Sequence, residues 1–342
     1  MAAMRRLRGR SGLLSAAAAA ILSVSAAGPV LAHGPVPPDP PSPLNLAFRW
    51  TLEPAVLVPL VAAVLGWIWM VRRIDRLHPA NPVPRRRSAA FLGGLAVIAI
   101  ALMSGIATYD TTLFSIHMVQ HLLLTLVAAP LIVLGAPITT LLRVATPNVR
   151  RAVILPILHS RVLKALSFPV VAWLLFAGVM WGTHFSPIFD RSLEDPLVHD
   201  LEHALYIGAA LLFWWPAVGL DPSPWRMAHP VRAMYVFLQM PQNTFLAVTI
   251  LNSSVPLNHH YATLIRTWGP TVLEDQQMAG GLMWICGDIL FLTAMGAIIA
   301  GWMLHEKRQE AVVDRRVDRE RAAMRIRETR LAERLAEERD GR

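Results

Sequence analysis

Apolar residues gather in seven runs, near 50–71, 88–108, 116–136, 166–183, 199–218, 231–251 and 279–304, with short polar segments between them. Each run approaches the roughly 20 residues that an α-helix needs to cross the hydrocarbon of a bilayer. Backbone groups in lipid must satisfy one another, and a helix does so within its own span. The pattern therefore predicts an all-α fold: a polytopic membrane helical bundle with seven transmembrane helices over 50–304. A soluble chain of 342 residues would divide into two or three domains, and a single bundle accounts for these runs better.

The ends of the chain read differently. Residues 1–32 carry a basic start, an alanine-rich middle and small residues at the end, with Val30 and Ala32 at the −3 and −1 positions of a cleavage site. This is the pattern of a signal peptide, with an uncleaved extra span as the alternative. Residues 33–49 form an extracytoplasmic leader, in which six prolines within His33–Pro43 exclude a helix or strand interior. The tail 305–342 is dense in both charges. Val317, Met324 and Leu331 recur every seven residues there, which suits either a solvated helix or a weak coiled-coil face.

Charge sets the expected orientation. The segment 72–87 holds six arginines, 137–165 four arginines and a lysine, and 219–232 two arginines. The intervening segments 33–49, 184–198 and 252–278 hold one arginine each and 109–115 none. Basic loops stay in the cytoplasm, so the mature N-terminus is expected outside and the C-terminal tail inside. The same distribution explains the net charge of +9 without nucleic acid as a partner. The expected location is the inner (plasma) membrane of a bacterial cell, as a multi-pass protein in contact with the lipid bilayer. The single cysteine, Cys286, excludes a disulfide framework and any CxxC motif.

Polar residues inside the runs are few, and four are histidines at one spacing. His117 and His121 open the third run, and His199 and His203 open the fifth. Residues four apart share a helix face, so each pair can present two ring nitrogens to one point. In the expected topology both pairs lie at one depth near the outer surface, which suits a metal site in a bundle core. More polar residues fall on that side: His184 after the fourth run, His259 and His260 in "LNHHY", and Glu274, Asp275, Gln276, Gln277 and Met278 at the start of the seventh. Asp275, Met278, Leu282 and Cys286 form one stripe with Met283 beside it, while Gln239, Met240 and Gln242 surround the kinking Pro241. Thioether and thiol donors beside imidazoles favour copper, although Met240, Met283 and Cys286 serve equally as packing. Asp275 suits a role beside a histidine ligand or as a helix cap. If cleavage follows Ala32, His33 becomes an N-terminal residue able to chelate copper through its amine and ring.

Three blocks, "HMVQHLLLTLVAAPLIVLGAP", "HDLEH" with its following "FWWP", and "DQQMAGGLMW", resemble the CtaG family of multi-span cytochrome c oxidase assembly factors. The resemblance covers roughly 50–304 and leaves out the leader and tail. It implies a non-enzymatic role in forming haem-copper oxidase by supplying copper to its subunits, with periplasmic copper chaperones as further partners. Residue by residue it points to His117, His121, His199, His203 and Asp275; Met278, Met240, Met283, His184 and His33 are weaker candidates on the residues alone. Three other readings stay open on the residues alone. They are a metal-free chaperone gripping an oxidase subunit, a non-haem di-iron enzyme and a haem-binding cytochrome. No nucleophilic triad or phosphate-cradling glycine loop is present.

Overall fold

The computed structural model describes residues 36–340, with 311, 312 and 330–340 described by backbone alone. The expected signal peptide and His33 lie outside the described residues. Among the described residues the chain is all-helical and contains no strand. It divides into two units, one ending at Leu292 and the other beginning at Thr293.

In the first unit, α1 (Pro54–Leu77) and α2 (Arg85–Met103) are joined by the basic loop. α2 stops at Ser104, whose hydroxyl accepts from Ile106 N at 3.3 Å and opens a short helix, Gly105–Tyr109. α3 runs as Phe114–Leu122, widens into a π-helical turn over Leu123–Ala128, and resumes as Ala129–Leu134. α4 (Pro169–His184) and α5 (Pro187–Glu194) meet at a bend of 73°. α6 (Pro196–Val218) ends on Gly219, whose φ of 60° is the left-handed conformation that favours glycine. α7 (His229–Phe237), α8 (Gln239–Leu251) and α9 (Val272–Asp340) follow.

Among the described residues, five helices are long and apolar enough to cross a membrane, or six if α4 and α5 form one broken span. All seven apolar runs are helical, but the run 231–251 is divided into α7 and α8. Pro241 has no N–H to give the carbonyl of Phe237, and the helix breaks there. The seventh run does not stop near 304; α9 continues through it to Asp340.

The π-helical turn in α3 has an identifiable cause. Ala129 N reaches back five residues to Leu124 O, and Pro130 has no N–H to continue that register onto Thr125 O. Trp214 of α6 donates its indole N–H to that carbonyl at 2.8 Å, so a buried acceptor stays satisfied and α6 is tied to α3. Around this junction α1, α2 and α3 share a core in which Trp67 stacks on Phe91 at 4.1 Å, beside Leu95, Ile98, Leu124 and Ile132. Gly94 permits the close crossing of α2 and α3, since a Cβ there would meet Ile132 Cγ1 at 2.7 Å and Ala128 O at 2.9 Å. Gly280 does the same between α9 and α8, against Leu251 N at 2.8 Å. Their sequence neighbours Gly93 and Gly281 leave more room.

The second unit, from Thr293, is helix. Arg316 Nε pairs with Glu320 Oε1 one turn away at 3.0 Å, and Val317 and Met324 of the seven-residue repeat are exposed. Such i,i+4 pairs support an exposed helix by tenths of a kcal/mol, on the order of 0.3–0.5.

Candidate metal centre

Two helix N-termini place the histidines. α3 begins at Phe114, and its first N–H groups lack partners within the helix. The carboxylate of Asp275, on α9, accepts from Phe114 N at 2.7 Å, Ser115 N at 3.3 Å and Ser115 Oγ at 2.5 Å. α6 begins at Pro196, where Asp195 Oδ1 accepts from Leu197 N at 2.9 Å and Val198 N at 3.4 Å. His117 and His199 are the fourth residues of their helices, and His121 and His203 the eighth. The matching register puts the pairs face to face. Ring centroids lie 4.2 Å apart within each pair, and 6.0 Å (His117–His199) and 6.1 Å (His121–His203) across the helices.

A buried polar network holds one side of this quartet. Gln120 donates from Nε2 to Ala101 O at 3.0 Å and to Asp110 Oδ2 at 2.8 Å. Both partners only accept, which fixes the amide orientation and makes Gln120 Oε1 the acceptor facing His203 Nε2 at 3.0 Å. His203 therefore donates from Nε2, and its Nδ1 keeps a lone pair in the neutral ring. His199 Nε2 faces Asp110 Oδ2 at 3.4 Å, and its Nδ1 lies 4.0 Å from Glu202 Oε2.

On the other side, His117 and His121 are buried with all four ring nitrogens lacking a hydrogen-bond partner among the described residues. An unsatisfied polar group in an apolar interior costs several kcal/mol. Two such rings side by side fit an environment completed by a cation. Donor atoms of His117, His121 and Glu202 lie within 4.8 Å of one another, as do those of Asp110, His199 and His203. Each group offers two imidazoles and a carboxylate, a donor set that suits a divalent first-row transition ion.

The same stretch of chain decides the family. Residues 65–305 match the family described as cytochrome c oxidase caa3 assembly factor (Caa3_CtaG). The chain belongs to that family. All four histidines fall within the matched region. Two relatives, each an uncharacterized protein, one from Mycobacterium bovis and one from Mycobacterium tuberculosis, are 28% identical over 288 residues, which is 82% of this chain and 43% of theirs. An uncharacterized protein of Mycobacterium leprae is 26% identical over 289 residues, with the same coverage. The chain thus spans less than half the length of these curated relatives. No solved structure matches it.

The remaining expected site residues are dispersed. Asp275 enters neither donor group, because both its oxygens cap α3. His184 is buried 6.1 Å from His121, ring to ring, and Met283 lines a hollow beside both. Met278 is more than half exposed, Met240 is half-buried, and Cys286 is a free, half-buried thiol. His259 and His260 lie over the α3 entrance, where Asp190 accepts from both backbone N–H groups and His260 Nε2 meets Thr111 O at 2.9 Å. Tyr261 donates to Asp110 O at 2.7 Å, and burial near Asp110 and Asp275 raises its phenol far above the ordinary value, so it keeps that proton.

Four residues of the centre escaped the sequence reading: Asp110, Gln120, Glu202 and Tyr206. Glu202 carried a signal, an acidic residue inside an apolar run between two histidines. Asp110, in "TYDTT", looked like loop polarity. Tyr206, whose ring centroid stands 4.1 Å from that of His121, looked like packing.

Proposed function

We propose that this assembly factor holds copper between α3 and α6 and delivers it to haem-copper oxidase subunits. The ligands are His117, His121, His199 and His203, joined by the carboxylates of Glu202 and Asp110. The observation that carries the reading is the pair of buried rings, His117 and His121, whose nitrogens have no other partner among the described residues. Asp275 acts by fixing the start of α3 rather than by ligation. Supporting the topology, arginine-rich loops alternate with arginine-poor ones. The seven apolar runs then serve as seven crossings, with α7 and α8 together forming the sixth. The N-terminus faces outward, the tail lies in the cytoplasm, and the histidines open to the extracytoplasmic side of a bacterial inner membrane. Exposed Glu53, at the head of α1, lies near Asp200 and Asp110, which marks an acidic approach suited to a cation. Periplasmic copper chaperones are the expected donors.

The test is the metal content of the full chain purified in mild detergent, wild type beside a His117→Ala/His203→Ala variant. Copper in the wild type that disappears in the variant supports the reading. A wild type that stays metal-free after loading with both Cu(I) and Cu(II) would leave the protein a chaperone without cargo.

A further inference from the structure

Next to the imidazole centre lies a hollow of about 20 Å³ between α3, α4 and α9, lined also by Gln239 and Asn243 of α8. That is room for one small occupant. Three methionines line it, one from each helix: Met118, Met180 and Met283, all buried. His121 and His184 line it as well. His184 Nδ1 lies 2.7 Å from Met180 O, which can only accept, so Nδ1 carries the proton of the neutral ring. Its Nε2 is buried with a bare lone pair and no partner among the described residues. A backbone carbonyl on one ring nitrogen that leaves the other free is the arrangement that orients a ligating imidazole.

Methionine often fills irregular space, yet packing does not call for two bare imidazoles facing the same hollow. Thioethers and imidazoles without a carboxylate form a soft, uncharged donor set. The imidazole and carboxylate groups on the other side of His121 are harder and anionic. We propose that this hollow is a second metal station, selective for a soft monovalent d¹⁰ cation, Cu(I) in the cell, with His121 shared between the two sites. The proposal deepens the copper reading above and rests on it for the identity of the ion. Cu(I) can then pass between the two sites by a ligand exchange at His121, with no change of oxidation state.

Silver(I), redox-inert and equally soft, is the probe. The full chain in detergent is titrated with Ag(I) and, separately, with Cu(II), comparing wild type, Met118→Leu/Met283→Leu, His184→Gln and His117→Ala/His203→Ala. The methionine pair and H184Q are expected to lose one equivalent of Ag(I) per chain and to keep wild-type Cu(II) binding, which also reports that they are folded. H117A/H203A is expected to lose Cu(II) and keep the Ag(I) equivalent. X-ray absorption of the Cu(I)-loaded wild type is expected to show sulphur scatterers that M118L/M283L lacks. Ag(I) stoichiometry unchanged in M118L/M283L overturns the proposal, as does parallel loss of both ions in every variant, which means one merged site. A wild type that fails to bind Cu(II) but binds Ag(I) through the methionines rejects the divalent centre and keeps the hollow.

Discussion

The ring of His117 on α3 stands 6.0 Å from the ring of His199 on α6, centroid to centroid, across a helix pair whose N-terminal ends lie side by side. On the proposed copper reading, donors from both helices serve one centre, and losses on the two helices are coupled. His121→Ala and His203→Ala are each expected to weaken copper binding about tenfold or more. The double variant should fall short of the product of the two effects, because the first loss already dismantles the site. Calorimetric titration of the four proteins of that cycle gives the coupling energy, and strictly additive losses would assign the pairs to separate sites.

Asp275 separates holding a helix from holding a metal. Its carboxylate takes two backbone N–H groups and a hydroxyl at the start of α3, all buried. Asp275→Ala leaves those donors unsatisfied, at a cost of roughly 1–3 kcal/mol. The expected result is a Tm in detergent lowered by several degrees, with copper stoichiometry retained in the folded fraction. Asp275→Asn, which keeps an acceptor, should recover part of the loss. Loss of copper at unchanged Tm would instead make Asp275 a ligand.

Copper retention should depend on pH with a definite sign. Ligating imidazoles must be unprotonated, so each bound ring excludes a proton. An ordinary imidazole titrates near pH 6.5, so binding is expected to hold at pH 7.5 and to weaken progressively through about pH 6 and below. Metal retention after equilibrium dialysis across that range checks it; retention that is flat down to pH 5 would point to donors other than histidine.

Much of the fold was legible because helices in lipid advertise themselves by length and apolarity, and each of the seven runs is helical. Breaks inside runs were harder to foresee. Pro241 signalled a kink and became the division between α7 and α8. Pro130 gave no warning of the π-helical turn, which depends on Trp214 arriving from another helix to take the orphaned carbonyl. The histidines were visible because four-residue spacing is a local property. Gln120 and Asp110 were not, since their meaning lies in a contact with His203 and His199 that residue spacing along one helix does not encode. Asp275 was singled out among the polar residues at the start of the seventh run, while the N-terminus it caps lies 161 positions away in the chain.

The approach of α2 to α3 positions the whole arrangement, and Gly94 makes it testable apart from any ligand. A Cβ at Gly94 would stand 2.9 Å from Ala128 O and 3.0 Å from Ile132 N, both backbone atoms of α3, besides Ile132 Cγ1 at 2.7 Å. A side chain could rotate away, but backbone cannot yield without separating the helices. The π-helical turn lies at that contact and begins at Leu123, two residues beyond His121. Gly66 of α1 has nothing within 4 Å of its Cβ position. Alanine at position 66 is thus expected to be neutral or to stabilise α1 by up to about 1 kcal/mol through helix propensity. Gly94→Ala has the same propensity gain but must overpack a backbone contact, at about 1–3 kcal/mol. The net expectation is a lowered Tm for G94A and an unchanged or raised Tm for G66A, measured side by side in one detergent. Because the strain falls on α3, G94A is also expected to weaken copper binding although it touches no ligand. If G94A matched G66A in both Tm and copper affinity, the close crossing of α2 and α3 would not be what holds His117 and His121 in place.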